Sequence, residues 1–342
     1  MVTAAFAPME MRAVPAIPDG PGWLFEPKWD GFRCLAHRDG DDVSLTSKAG
    51  QPLARYFPEI VSALKAIHAD HFSLDGELVV PLAGAMSFDA LQQRIHPAAS
   101  RVLMLSGSTP ALYLIFDLLR EAGKDRVDEP LEVRRAELER FMTAHARTAG
   151  ALRLSPATTK RDVVDEWFSK VGGALDGVIA KKLGVPYASG RRDSAVKIKK
   201  MRTADCVVGG FRFAAAARDR IGSLLLGLYD SSGLLDYIGF CSAFAAAERV
   251  ALLAQLEPYI GEPGFTGGAP DSAPSRWSRG AERDRSYVKL RSELVLEVEF
   301  DQVTSGRIRH GTRPVRWRTD KPALSCTVDQ LETSGATTSL LN

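Results

Sequence analysis

Apolar and polar positions follow two different rhythms along the chain. In the first half, short apolar runs are separated by segments of helical periodicity. SLDGELVV (73–80) and LYLIFDLL (112–119) read as buried strands, because short runs rich in branched and aromatic residues suit a pleated surface covered on both faces. FPEIVSALKAI (57–67) and PLEVRRAELERFMTAHA (130–146) have helical spacing, each with a proline at or before the first turn, where the missing N–H costs nothing. DVVDEWFSKV (162–171) predicts a further helix, stopped by Gly172 and Gly173. This half reads as a mixed α/β domain, with neither a Gly-rich phosphate loop nor a dinucleotide fingerprint.

After residue 202 the rhythm changes. Residues 204–213, 222–230 and 234–244 are strand-like, with a hairpin turn at 231–233 between the second and third. A helix is predicted over 245–260, then a Gly/Pro/Ser-rich loop over 261–275, and strand alternation returns over 286–304. A few strands with one interposed helix suit a small β-barrel of the oligonucleotide-binding (OB) kind. The expected organisation is an α/β (α+β) domain over 1–201 followed by a β-barrel OB-fold domain over 202–342.

Composition supports two ordinary globular domains: 342 residues, 45% hydrophobic and 25% charged. No run approaches the roughly 20 apolar residues of a membrane helix, and the N-terminal stretch lacks the apolar region of a signal peptide. A cytoplasmic location without membrane contact is expected. The four cysteines, Cys34, Cys206, Cys241 and Cys326, show no metal-ligand spacing, and none of the six histidines is assigned to a metal. The cysteines read as reduced, buried small residues.

Charge alters the picture more. The net charge of +2 conceals two basic stretches, 191–202 and 276–321, that contribute +5 each and leave the remainder near −8. Basic patches on an acidic body are the footprint of a polyanion binder, although a basic run alone also fits a solvated face.

The candidate chemistry begins at FEPKWDGFR (25–33). In a strand, Glu26, Lys28 and Asp30 share a face, with Arg33 following. A surface salt-bridge ladder fits this stretch equally well. Its weight changes with LDGELV (74–79), LIFDLL (114–119), DGVIAKK (176–182), VKIKK (196–200) and RWRTDKP (316–322). In this order, the set resembles the covalent nucleotidyltransferases: ATP-dependent DNA ligases, RNA ligases and mRNA-capping guanylyltransferases. EPKWDGFR, SKAGQPLARYFPEI and DGVIAKK are most similar to the short bacterial ATP-dependent DNA ligases of the repair type, which lack an N-terminal DNA-clamping domain.

The resemblance implies a nucleotidyltransferase (adenylation) domain ahead of the OB domain, and it implies roles. Lys28 would attack the α-phosphate of ATP, release pyrophosphate and hold AMP as a phosphoramidate; the adenylate would pass to the 5′-phosphate of a nick, and the 3′-hydroxyl would then seal the strand. An ordinary lysine, with a pKa of about 10.4, is almost wholly protonated at neutral pH. Bound metal with Arg33, Lys197 and Lys199 would favour the free amine, and a nearby carboxylate would oppose it. Glu26 would read adenine, Asp30 and Gly31 would shape the turn, and Arg33 would hold the nucleotide or the nick phosphate. Glu77 would meet the ribose or a divalent ion, and Phe116 would stack on adenine. Asp176 would serve the metal, Mg²⁺ or Mn²⁺, although many ligases carry glutamate there. Lys181 fills the motif's lysine position, while Lys197 and Lys199 would lie on the ATP phosphates. Lys48 stands where the family commonly has arginine, and would grip the ribose or a phosphate of the nucleotide with a point charge in place of a fork.

In the second domain, Arg318, Asp320 and Lys321 match the motif that orients the leaving pyrophosphate. Arg191, Arg192, Arg202, Arg307, Arg309, Arg313 and Arg316 would contact the duplex backbone without reading sequence. The expected partner is nicked duplex DNA in repair, bound by a nucleoid-associated monomer. A GTP-dependent capping or RNA end-sealing enzyme and a non-catalytic nucleic-acid-binding module are the alternatives.

Overall fold

The computed structural model describes residues 6–146, 150–169, 175–214, 217–270 and 286–332. The chain divides into two compact units, Met1–Lys200 and Met201–Thr333. The glycines expected to stop the third helix, part of the 261–275 loop and the end of the chain lie outside the described residues.

The first unit is built on two sheets. One contains β1 (Arg12–Val14), β2 (Trp23–Trp29), β8 (Leu175–Lys182) and β9 (Ala195–Ile198), in the order β1-β9-β8-β2. The other runs β7-β6-β5-β3-β4, from β3 (Phe32–Asp39), β4 (Asp42–Ser47), β5 (His71–Val79), β6 (Leu112–Glu121) and β7 (Leu152–Leu154). The two apolar runs read as strands are β5 and β6, antiparallel neighbours. Helices α1 (Pro58–Lys65), α2 (Phe88–Gln93), α3 (Ala99–Ser108), α4 (Leu131–His145) and α5 (Arg161–Ser169) complete the unit. Phe57, Phe72, Leu74, Tyr113, Leu138 and Phe141 form part of one core. Phe25, Trp29, Val164, Trp167 and Val178 belong to a second core, which holds α5 against β2 and β8.

Helix α4 buries more than apolar side chains. Arg134 is fully buried and forms a two-pronged ion pair with Asp117 on β6, at 2.8 and 3.0 Å. Arg94, equally buried, grips Glu59 in the same manner at 2.7 and 2.9 Å. Buried charge is tolerated when it is paired and hydrogen bonded, and the bidentate geometry supplies a partner to both oxygens of each carboxylate, although Arg94 Nε is left without one.

The second unit is strand-rich. Its sheet runs β12-β11-β10-β13-β14, formed by β10 (Arg202–Phe213), β11 (Ile221–Tyr229), β12 (Leu235–Cys241), β13 (Val295–Phe300) and β14 (Arg313–Trp317). The β11–β12 turn closes as expected, with Gly233 at φ +76° and its N–H donating to the Asp230 carbonyl. Helix α6 (Ala246–Leu256) is shorter than the predicted 245–260 and passes into a 3₁₀ turn at Glu257–Tyr259, around a proline. The 286–304 alternation is not one strand. After Val288–Lys289 the chain turns at Arg291, whose carbonyl accepts from the Glu293 N–H, before β13 begins. All four cysteines are buried and unpaired. Among the described residues no helix is long and apolar enough to cross a membrane.

Candidate active site

Lys28 lies near the end of β2, opposite Gly177 on β8. The register slips between Leu175 and Gly177, and a bulge of this kind re-aims the side chain it carries, here Asp176. Gly177 sits at φ +143°, and a Cβ there would lie 1.9 Å from the carbonyl oxygen of Ile198, so any other residue would collide with β9. The outcome is a single carboxylate oxygen, Asp176 Oδ2, that accepts a hydrogen bond from Lys28 Nζ and lies 3.4 Å from Lys199 Nζ.

Around Lys28 a pocket opens, lined among others by Glu26, Arg33, Glu77, Phe116 and Lys181. Five of the residues singled out in sequence thus meet at the predicted nucleophile, from five strands. Glu26 and Lys181 form a buried ion pair in which Nζ lies 2.9 and 2.8 Å from the two carboxylate oxygens. Phe116 is half-buried rather than sealed in the core, with the Lys181 ammonium 4.5 Å and the Arg33 guanidinium 5.2 Å from its ring centre. The glycine of KWDGFR is required by close approach: a Cβ on Gly31 would lie 2.2 Å from the Leu78 carbonyl oxygen on β5.

Arg33 is anchored. Its Nε and Nη2 donate to Asp75 at 3.0 and 2.6 Å, and Nη1 donates to the Met9 carbonyl at 2.9 Å. Tyr187 donates its hydroxyl proton to the same Asp75 and accepts from the Met9 N–H. Three of the five N–H groups of Arg33 are therefore committed within the protein, and its fork is aimed at Asp75. Burial, first, and the charge of Asp75 shape its ionisation, and the pair leaves it firmly protonated.

Glu77 pairs across the sheet with Arg33. Burial raises its pKa to about 8, against the opposing pull of Lys28 and Arg33 and with further upward pressure from Asp30 and Asp75. Asp176 Oδ1 is a buried oxygen without a hydrogen-bond partner. An unsatisfied carboxylate oxygen in such a place is costly, and a hard divalent cation would satisfy it, so Asp176 and Glu77 fit the oxygen-ligand chemistry of such an ion. Among the described residues no cluster of three or more His, Cys, Asp or Glu side chains converges, so water and phosphate oxygens would complete the coordination.

Lys197 has its ammonium depressed, first by burial and then by the charges of Lys28, Lys199 and Lys48, which places these four lysines in one cationic field. Lys48 lies 3.4 Å from Glu10 Oε1, while the other oxygen of Glu10 takes the hydrogen bond of Arg192 Nε. Arg191 pairs with Asp193.

The second unit holds the remaining expected residues. Arg318 donates to Asp205 at 2.8 Å and to Asp320 at 2.9 Å, and Lys321 donates to the other Asp205 oxygen at 2.7 Å. Arg202 gives its guanidinium to the carbonyls of Gln330 and Glu332, both at 2.9 Å, and covers Phe300. Arg309 reaches Gln302, Arg316 pairs with Glu297, and Arg307 lies over Tyr237. Arg313 is exposed on β14.

Sequence reasoning passed over Asp75, Tyr187, Met9, Met11, Glu10 and Asp205. Asp75 stood within LDGELV, where an acid on a buried strand demanded a partner. Tyr187 and Met9 carried no local signal, since they are joined to Asp75 and Arg33 only by the fold.

Comparison with known proteins follows the same lines. The model described as ATP dependent DNA ligase domain matches residues 10–199, and that described as ATP dependent DNA ligase C terminal region matches residues 217–321. The chain is 42% identical to DNA ligase C2 of Mycolicibacterium smegmatis over 340 residues, covering 95% of this chain and 94% of that protein. It is 43% identical to DNA ligase C of Mycobacterium tuberculosis, covering 95% of this chain and 93% of that one. A solved chain from the Lig E DNA ligases superposes with a TM-score of 0.56 at 15% identity, over 90% of this chain and 99% of that chain, a likeness that bears on the fold alone.

Proposed function

Since the chain belongs to the ATP-dependent DNA ligases, with a nucleotidyltransferase domain followed by an OB-fold domain, we propose that Lys28 is the nucleophile that carries AMP. The family uses ATP and a divalent metal. The observation that carries the proposal is the convergence of Glu26, Arg33, Glu77, Phe116 and Lys181 on the pocket at Lys28, with Lys199 sharing the Asp176 oxygen that holds its Nζ. We place the domains at 1–201 and 202–342.

Within this reading, Phe116 stacks on adenine and Glu26, already hydrogen bonded to Lys181, presents the base-reading carboxylate. An apolar pair of similar volume would serve the fold at least as well as a buried Lys–Glu pair, which supports a ligand-directed role for these charges. Lys197 and Lys199 hold the triphosphate. Lys28 Nζ passes a proton to Asp176 Oδ2, which already accepts its hydrogen bond, and attacks the α-phosphorus; the bond to pyrophosphate breaks, the second excess proton leaves to solvent, and a phosphoramidate forms. Asp176 and Glu77 would be the protein oxygen ligands for Mg²⁺ or Mn²⁺, which when bound would neutralise developing phosphate charge. Arg318 and Lys321 orient the leaving pyrophosphate. The 5′-phosphate of a nick in duplex DNA then takes the adenylate, and attack by the 3′-hydroxyl releases AMP. Backbone contact falls to exposed cations such as Arg191, Arg192 and Arg313; Arg202 is committed to carbonyls of its own unit.

Intact mass after incubation with Mg²⁺ and either ATP or GTP, repeated after adding nicked duplex, tests this. Wild type gains an AMP adduct that the nick removes, and Lys28→Ala gains none while keeping its far-UV circular dichroism. A retained adduct in Lys28→Ala would overturn the assignment.

A further inference from the structure

Glu10 has no part in the reaction just described, yet it occupies two of the cations assigned to phosphate. Its Oε2 accepts from Arg192 Nε and its Oε1 lies 3.4 Å from Lys48 Nζ. The Arg192 hydrogen bond, then the Lys48 charge, hold the carboxyl below its usual range, so it is fully ionised at neutral pH. Its backbone N–H is pinned to the Arg191 carbonyl at 2.9 Å, and its chain neighbours Met9 and Met11 both line the Lys28 pocket. Through Lys48, whose charge is felt at Lys197, the pair is continuous with the cationic field around the nucleophile.

Exposed ion pairs add little to stability, so the fold does not require this arrangement. Arg192 is 71% and Lys48 55% exposed, against 25% for Glu10. Two open cations with one oxygen apiece directed between them present the geometry that a phosphate would use. We propose that Glu10 is a built-in competitor for DNA phosphate: in the free protein its carboxylate fills the Lys48–Arg192 site, and a backbone phosphate must displace it on docking. This rests on the ligase reading. Contacts to Lys48 and Arg192 are then gained only against Glu10, which holds down binding to duplex in general and gives weight to the contacts that only a nick provides.

The test uses the full chain and fluorescence anisotropy with a 5′-phosphorylated nicked duplex and the matching intact duplex. Glu10→Gln is expected to bind both more tightly, by about 3- to 10-fold at low salt, and to steepen the slope of log affinity against log salt by about one to two, the increment for one or two freed cations. Glu10→Ala should behave likewise, with thermal stability close to wild type. Lys48→Ala with Arg192→Ala should cost more in the Glu10→Gln background than in wild type, because only there are the two cations unoccupied. Unchanged or weakened binding in both Glu10 variants would overturn the proposal. So would a lower KM for ATP with DNA affinity unchanged, which would make the displaced phosphate that of the nucleotide. A wild type that binds no DNA and seals no nick would instead sink the ligase reading itself.

Discussion

At Asp176, the two oxygens of one side chain have different surroundings. Oδ2 holds Lys28 and lies beside Lys199, while Oδ1 is left without a hydrogen bond. Replacing aspartate by the longer glutamate would shift both contacts, so the shorter residue matches the bulge that presents it. That bulge depends on Gly177. Gly177→Ala must relieve a 1.9 Å approach to Ile198 O at a φ that side chains rarely adopt, and we expect a loss of at least about 3 kcal/mol in urea unfolding. A stability within experimental error of wild type would mean the bulge can relax. The sequence showed Gly177 only as part of a motif; its physical necessity resides in a backbone oxygen twenty-one positions away. Asp75 was equally hidden in role. Its partners Arg33 and Tyr187 are 42 and 112 residues distant, and no periodicity encodes that meeting.

Among the elements, α4 shows how far periodicity carries. Pro130 at its start and the recurrence of Leu131, Leu138, Phe141 and Met142 made the helix legible. What the pattern could not convey is that Arg134 faces inward, because an arginine in a sequence defaults to the surface. The Asp117–Arg134 pair ties α4 to β6, the strand that also carries Phe116. Asp117→Ala strands a buried guanidinium and is expected to destabilise the protein by about 3–5 kcal/mol, whereas replacing both partners by apolar residues of similar volume should recover most of that. Chemical denaturation of the single and double variants decides it; a double variant no better than the single would argue that the charges themselves shape the element. Strand existence was read well for β5, β6 and β10 to β12. The 286–304 run was misjudged because strand-like residues continue through the Arg291–Glu293 turn.

On the scale of the whole molecule, the residues proposed for the ligation chemistry are divided between two units with separate cores. The proposed nucleophile and its pocket belong to the first, Arg318 and Lys321 to the second, where Asp205 holds both through its two oxygens. Arg318→Ala should lower formation of the AMP adduct by about 10²-fold, the scale of losing one charge-stabilising donor. Strand sealing by enzyme already carrying AMP should survive. Equal loss of both steps, measured in single-turnover assays, would place Arg318 in DNA contact instead. The broad plan was readable because the hydrophobic rhythm itself changes at the boundary between the units. The counter-ions Glu10 and Asp205 were not, since an acid becomes a partner only once folding sets it beside its cations. The buried thiols carry a practical consequence of their own. Burial, the leading cause in each case, raises the pKa of Cys34, Cys206, Cys241 and Cys326, so none offers an accessible thiolate. A thiol-specific reagent should titrate almost none of them in the native protein and all four after denaturation. A single cysteine introduced on the surface would then be the one labelled, which makes the wild-type chain a ready carrier for a fluorophore or spin label with no native cysteine removed.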